Sequence, residues 1–107
     1  MELDKIAERF GLDVEDIEEL IELYVKTTAL DLAELKGAIE AKDAQIAHAK
    51  AHSIKGGSGN LGLDTMYELA KEIDDRARGN HLDGLESKVQ IMQETFNSLA
   101  EDFKKDN

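Results

Sequence analysis

Apolar residues return along this chain at steps of three and four, without the strict alternation a half-buried strand needs, so the pattern predicts helices throughout. There is no proline to interrupt them. Asp4 to Phe10 reads as a short first helix with Ile6 and Phe10 on one side, and Gly11 is placed to end it. Asp13 is positioned as the N-cap of a second helix, with Asp16 in its first turn. From there Ile17, Leu20, Tyr24, Thr28, Leu32, Leu35 and Ile39 form an inner stripe. This is the longest helix expected. Its opposite face carries Glu15, Glu18, Glu19, Glu22 and Lys26, a charge run whose ordinary meaning is a solvated surface. Gly37 lies near its end, and Ala41-Lys42-Asp43 makes the turn.

Asp43 is set to cap a third helix, whose narrow inner face of Ala44, Ala47, Ala51, Ile54, Ser58 and Leu61 lets neighbouring helices approach closely. Gly62 breaks it. Asp64 or Thr65 is expected to cap a fourth helix with Met66, Leu69, Ile73 and Ala77 inside, ended by Gly79-Asn80, and His81 falls in the loop that follows. The last helix is expected from about Gly84 to Lys105, where Leu85, Val89, Met92, Phe96, Leu99 and Phe103 step by four and three. Such a seam could pair with a second chain. Among long helices joined by short loops it more simply closes an all-α, antiparallel up-down four-helix bundle, with the short N-terminal helix as its cap.

Composition narrows the function. A chain of 107 residues is read as a single domain, 1–107, with one modest core. Its 24 acidic residues against 13 lysines and arginines give a formal net charge of -11, which repels nucleic acid and anionic membranes. No cysteine is present, so disulfides and thiolate metal sites are excluded. The charged start, Met1-Glu2-Leu3-Asp4-Lys5, has no apolar run of the secretory type, and no stretch reaches the ~20 apolar residues of a membrane span. The expected location is the cytoplasm.

Candidate chemistry concentrates between Ala51 and Gly62. Four of the eight glycines lie within Gly56 to Gly62, although each costs a helix interior roughly 1 kcal/mol relative to alanine. On a helix His52, Lys55, Gly56 and Gly59 share one face, so the glycines leave the imidazole above bare backbone. A neutral imidazole is a nucleophile near neutral pH, and Lys55, one turn on, can offset the charge of a phosphoryl group placed on it. His48, four residues before His52, shares that face and is its rival; lacking a glycine run beyond it, it reads as a surface histidine.

The run Ala51-His52-x-x-Lys55-Gly56, closed by Gly62, resembles the signature of histidine-containing phosphotransfer domains, the helical shuttles of multistep phosphorelays. It departs from that signature at Ile54, where leucine is common, and at Gly59, where alanine is common. The resemblance implies that His52 is the phosphoacceptor, that Lys55 steadies the phosphoryl group and that Gly56 keeps the histidine reachable. Gly56, Gly59, His48 and Ser53 would then belong to the docking face. The partners it implies are response-regulator receiver domains and a hybrid sensor histidine kinase. No cofactor is expected on this chain, because Mg²⁺ would come with the receiver, and the shuttle is expected to act as a monomer. A polar side chain of the neighbouring helix, a backbone carbonyl or water would hold the other ring nitrogen of His52.

Other classes fit less well. No G-x-x-x-x-G-K-[ST] loop is present, so His52 would be charged by another protein rather than by ATP. His48 and His52 could together grip a metal, but two ligands are too few, and Gln45 and Ala49 stand where a Glu-x-x-His motif would have glutamates. A purely structural bundle leaves the glycines beside His52 without a reason. The initiating methionine favours a free-standing shuttle over a piece of a larger kinase.

Overall fold

In a computed structural model, residues 3–106 are described, with side chains for 3–105, and five helices form among them. They are α1 (Leu3–Phe10), α2 (Val14–Glu40), α3 (Ala44–Asn60), α4 (Asp64–Arg78) and α5 (Leu85–Asp106). The four turns between them each use a left-handed backbone residue, at Gly11 (φ 65°), Lys42 (φ 58°), Gly62 (φ 71°) and Asn80 (φ 61°). Gly62 is required twice over, because the Arg9 guanidinium occupies the space a side chain there would need.

Caps explain some boundaries and not others. The Asp43 side chain accepts the Ile46 N–H at 3.1 Å, as the sequence predicts for α3. Asp13 stands at the N-cap position of α2 without a side-chain capping bond. Neither Asp64 nor Thr65 caps α4: Leu63 holds the N-cap position, and Asp64 lies in the first turn, where a carboxylate favours the helix dipole instead.

Helices α2 to α5 pack each against the next, and α5 closes back on α2, which makes the up-down four-helix bundle. The 27 residues of α2, at about 1.5 Å each, span the 41 Å long axis of the molecule. Because α3 has only 17 residues, the first turns of α2 overhang it. That overhang is where α1 sits. A helix of 8 residues is marginal alone, and α1 persists by joining Leu3 and Ala7 to a cluster with Ile17, Ile21, Tyr24, Leu61 and Phe103.

This packing decides faces that a step of three or four leaves open. Ile21 is buried and Leu20 is 43% exposed, the reverse of the expected stripe, and on α1 the buried residues are Leu3 and Ala7 while Phe10 is 40% exposed. The main core fills the bundle with Leu32, Leu35, Ile54, Met66, Ile73, Leu85 and Met92 among its members. On α5 the heptad-like seam faces inward, all of it buried except the half-buried Leu99. Among the described residues four polar side chains are also buried: Thr28, Asp31, Ser58 and Asp74. Tyr24 and Ser58 satisfy each other across α2 and α3 at 2.7 Å.

Candidate functional site

Antiparallel packing of α3 on α4 brings His52 and Lys55 opposite the same buried carboxylate, Asp74. The Nδ1–H of His52 donates to Asp74 Oδ2 at 3.2 Å, and Lys55 Nζ donates to that oxygen at 3.1 Å. Arg78, one turn on from Asp74, reaches Oδ2 at 3.6 Å. His48 Nδ1 bonds the other oxygen, Oδ1. Asp74 has no exposed side-chain surface, and among the described residues these four side chains are its ion-pair partners. Burial pushes its carboxyl up, but the hydrogen bonds from Lys55, His52 and His48 more than reverse this and hold it below the ordinary carboxylate range.

Anchoring Nδ1 on a carboxylate fixes the tautomer of His52 and leaves the lone pair on Nε2. The His52 side chain is 59% exposed, so that nitrogen is open to an incoming molecule. Two permanent cations, Lys55 and Arg78, flank one carboxylate, which gives this spot a positive balance on a protein of net charge -11. A nucleophile with a local surplus of positive charge is suited to accepting a phosphoryl group.

The glycines divide into two groups. A Cβ on Gly56 would meet nothing within 4 Å, and the residue is exposed beside His52, as the reading of a cleared face requires. Gly57 and Gly59 instead admit tyrosine rings: Tyr24 would stand 3.3 Å from a Cβ on the first, and Tyr67 3.0 Å from one on the second. Gly59 thus carries the close approach of α4 as well as lying on the exposed surface. Ser53 is exposed and donates to Asp31 of α2 at 2.7 Å, on the side of α3 away from Asp74.

His48, read from the sequence as a surface histidine, is only 36% exposed and shares Asp74 with His52, their ring centroids 5.8 Å apart. Asp74 and Arg78 were not among the expected site residues. The signal for Asp74 was present: it sits between Ile73 and Ala77, four after Ala70, an acidic residue inside the apolar stripe of α4. Among the described residues no group of three or more histidines and carboxylates is arranged to hold a metal ion.

The Hpt domain sequence profile matches residues 19–102. The chain belongs to the Hpt domain family. Histidine-containing phosphotransfer protein B from Pseudomonas aeruginosa PAO1 is 28% identical and superimposes with a TM-score of 0.85, over 97% of this chain and 88% of that one. The Hpt domain of a sensor hybrid histidine kinase from Shewanella, 14% identical, shares the fold with a TM-score of 0.83 over 98% of this chain and 91% of its own. No curated protein sequence matches. Both resemblances take in α1, which the family profile leaves out, so the capping helix is part of the shared architecture.

Proposed function

We propose that His52 Nε2 is the phosphoacceptor of this Hpt domain and that it exchanges the phosphoryl group with the aspartyl phosphate of a receiver domain. Family membership makes the chain a histidine phosphotransfer module of a phosphorelay. The observation that carries the residue assignment is the Nδ1 contact with buried Asp74 on a side chain 59% exposed, against 36% for His48, which leaves the Nε2 of His52 as the outward nucleophile. In the transfer the Nε2 lone pair forms the N–P bond while the P–O bond to the receiver aspartate breaks, and that carboxylate leaves with the electron pair. No proton need move: Nδ1 keeps its hydrogen, and the positive charge that grows on the ring is balanced by Asp74. Lys55, one turn on from His52, would offset the charge of the phosphoryl oxygens on turning outward from Asp74.

The partners proposed are receiver domains and a hybrid sensor kinase, with Mg²⁺ brought by the receiver and no autokinase activity in this chain. A groove of about 370 Å³ between α1, α2 and α3, on the Ser53 side of α3, offers an apolar surface for docking, lined by Phe10, Leu20, Leu23 and Thr27 together with Ser53 and Gly57 of α3. Leu23 is 61% exposed and Leu30, two turns on along α2, 67%. Among the described residues no helix is long and apolar enough to cross a membrane; the proposed setting is a monomer in the cytoplasm.

The test is to mix the chain with a phosphorylated receiver. It should acquire an acid-labile, base-stable phosphate that His52→Gln abolishes and His48→Gln retains, and ATP alone should give no label. Loss of the label in His48→Gln with retention in His52→Gln would overturn the assignment.

A further inference from the structure

We propose that His48 is a positioning residue for phosphotransfer: it grips Asp74 through Oδ1 and so holds the carboxylate in the plane from which Oδ2 orients His52. The proposal rests on the reading of His52 as acceptor.

The two oxygens of Asp74 are not equally served. Oδ2 has His52 at 3.2 Å, Lys55 at 3.1 Å and Arg78 at 3.6 Å, whereas His48 is the hydrogen-bond partner of Oδ1. Rotation of an aspartate carboxylate about its terminal torsion meets only a broad, shallow profile. Held through one oxygen it can swing; held through both, its plane is fixed. His48 supplies the second hold because it stands four residues before His52 on α3, which puts both Nδ1 atoms on the face that meets α4.

Lys55 makes this hold matter during the reaction. At rest Lys55 is committed to Asp74, and its side chain is only 21% exposed. To meet a phosphoryl group on His52 Nε2 it has to loosen its contact with Oδ2, at the moment when the ring becomes cationic and leans hardest on that oxygen. A fully buried carboxylate that loses a partner is costly. With His48 on Oδ1 the carboxylate stays paired and in plane while Lys55 turns outward. His48 therefore acts through Asp74 and need not touch the phosphoryl group.

The experiment uses the whole chain with His48→Ala and His48→Asn. Asparagine keeps an N–H donor close to where Nδ1 stands; alanine removes it. Transfer from a phosphorylated receiver is followed by rapid quench over a range of receiver concentrations, and the His52 ring nitrogens are observed by long-range ¹H–¹⁵N NMR. In His48→Ala the saturating transfer rate should fall about tenfold, short of the hundredfold that ~1 Å of misplacement costs. The half-saturating receiver concentration should stay within twofold, and the ¹⁵N shifts of His52 should move towards a mixture of tautomers. His48→Asn should recover most of the rate and the single tautomer. A parental rate and unchanged His52 shifts in His48→Ala would overturn the proposal, as would an asparagine variant as slow as alanine. The acceptor assignment has its own control in the same assay, because a label that survives His52→Gln defeats that reading whatever His48 does.

Discussion

His52 of α3 and Asp74 of α4 meet at 3.2 Å across the helix interface, one largely exposed and the other fully buried. The buried partner occupies Nδ1 and the exposed ring keeps Nε2 free. The pairing sets which ring nitrogen is free, and the packing of α3 on α4 sets the pairing.

Asp74→Asn keeps the size of the side chain and removes its charge. Its amide can present either an oxygen or an N–H to His52, so the tautomer is no longer fixed. We expect phosphotransfer to slow by about ten- to hundredfold, the usual cost of losing a histidine's supporting partner. The label should still form at long times. Single-turnover kinetics with a phosphorylated receiver check this, and a parental rate would mean that Asp74 does not orient the ring.

Stability should carry the signature of the same group in acid. Asp74 has a folded-state pKa below its ordinary value, so folding favours the ionised form. That contribution is complete above the unfolded-state value of about 3.9 and is lost as the pH falls through the lower folded-state value. The gap in urea midpoint between the parent and Asp74→Asn should close in strong acid, as the pH falls below about 3.9. A gap that survives unchanged to about pH 2 would show that the carboxylate's charge contributes nothing.

Lys55→Ala removes one of the four partners of Asp74 and leaves His48, His52 and Arg78 in place. The loss of stability should be about 2 kcal/mol, within the range for a hydrogen bond to a charged group, and the bundle should remain folded by circular dichroism because three partners still hold the carboxylate. Transfer should slow, and the rate should lose part of its dependence on salt, because a cation beside the phosphoryl group is gone. A rate equal to the parent's at low and at moderate salt would reduce Lys55 to a partner of Asp74 alone.

The sequence carried the bundle well because each helix signal was local. Periodicity, the Asp43 cap and the left-handed residues at the turns act within a few positions of one another. What it left open depended on pairing. Leu20 and Ile21 both fit a stripe through Ile17 and Tyr24, and the docking of α1 on the overhang of α2 chose Ile21. The site divided in the same way. His52, Lys55 and Gly56 lie within one turn of α3 and could be read together, whereas Asp74 is 22 residues away from His52 and is joined to it only by the register of α3 on α4. An acidic residue inside an apolar stripe was the one local sign of it. His48 reads as a surface histidine for the same reason, since nothing beside it in the chain indicates that it reaches a carboxylate on another helix.

Gly56 separates function from stability most sharply. It lies four residues after His52, exposed, with open space where a Cβ would stand. Gly56→Leu should therefore meet no clash and gain up to about 1 kcal/mol of helix propensity, raising the melting temperature or leaving it unchanged. The same substitution at Gly59 would press on Tyr67, from which even a Cβ would be only 3.0 Å away, and should lower it. Transfer should move the other way at Gly56, because a leucine beside the imidazole holds an incoming receiver off by more than the ~1 Å that already costs on the order of a hundredfold in rate. Thermal melts of both variants, paired with receiver-to-His52 kinetics on Gly56→Leu, decide the matter. A Gly56→Leu chain that melts lower than the parent and transfers at the parental rate would assign this glycine to helix packing and move the docking surface elsewhere on the bundle.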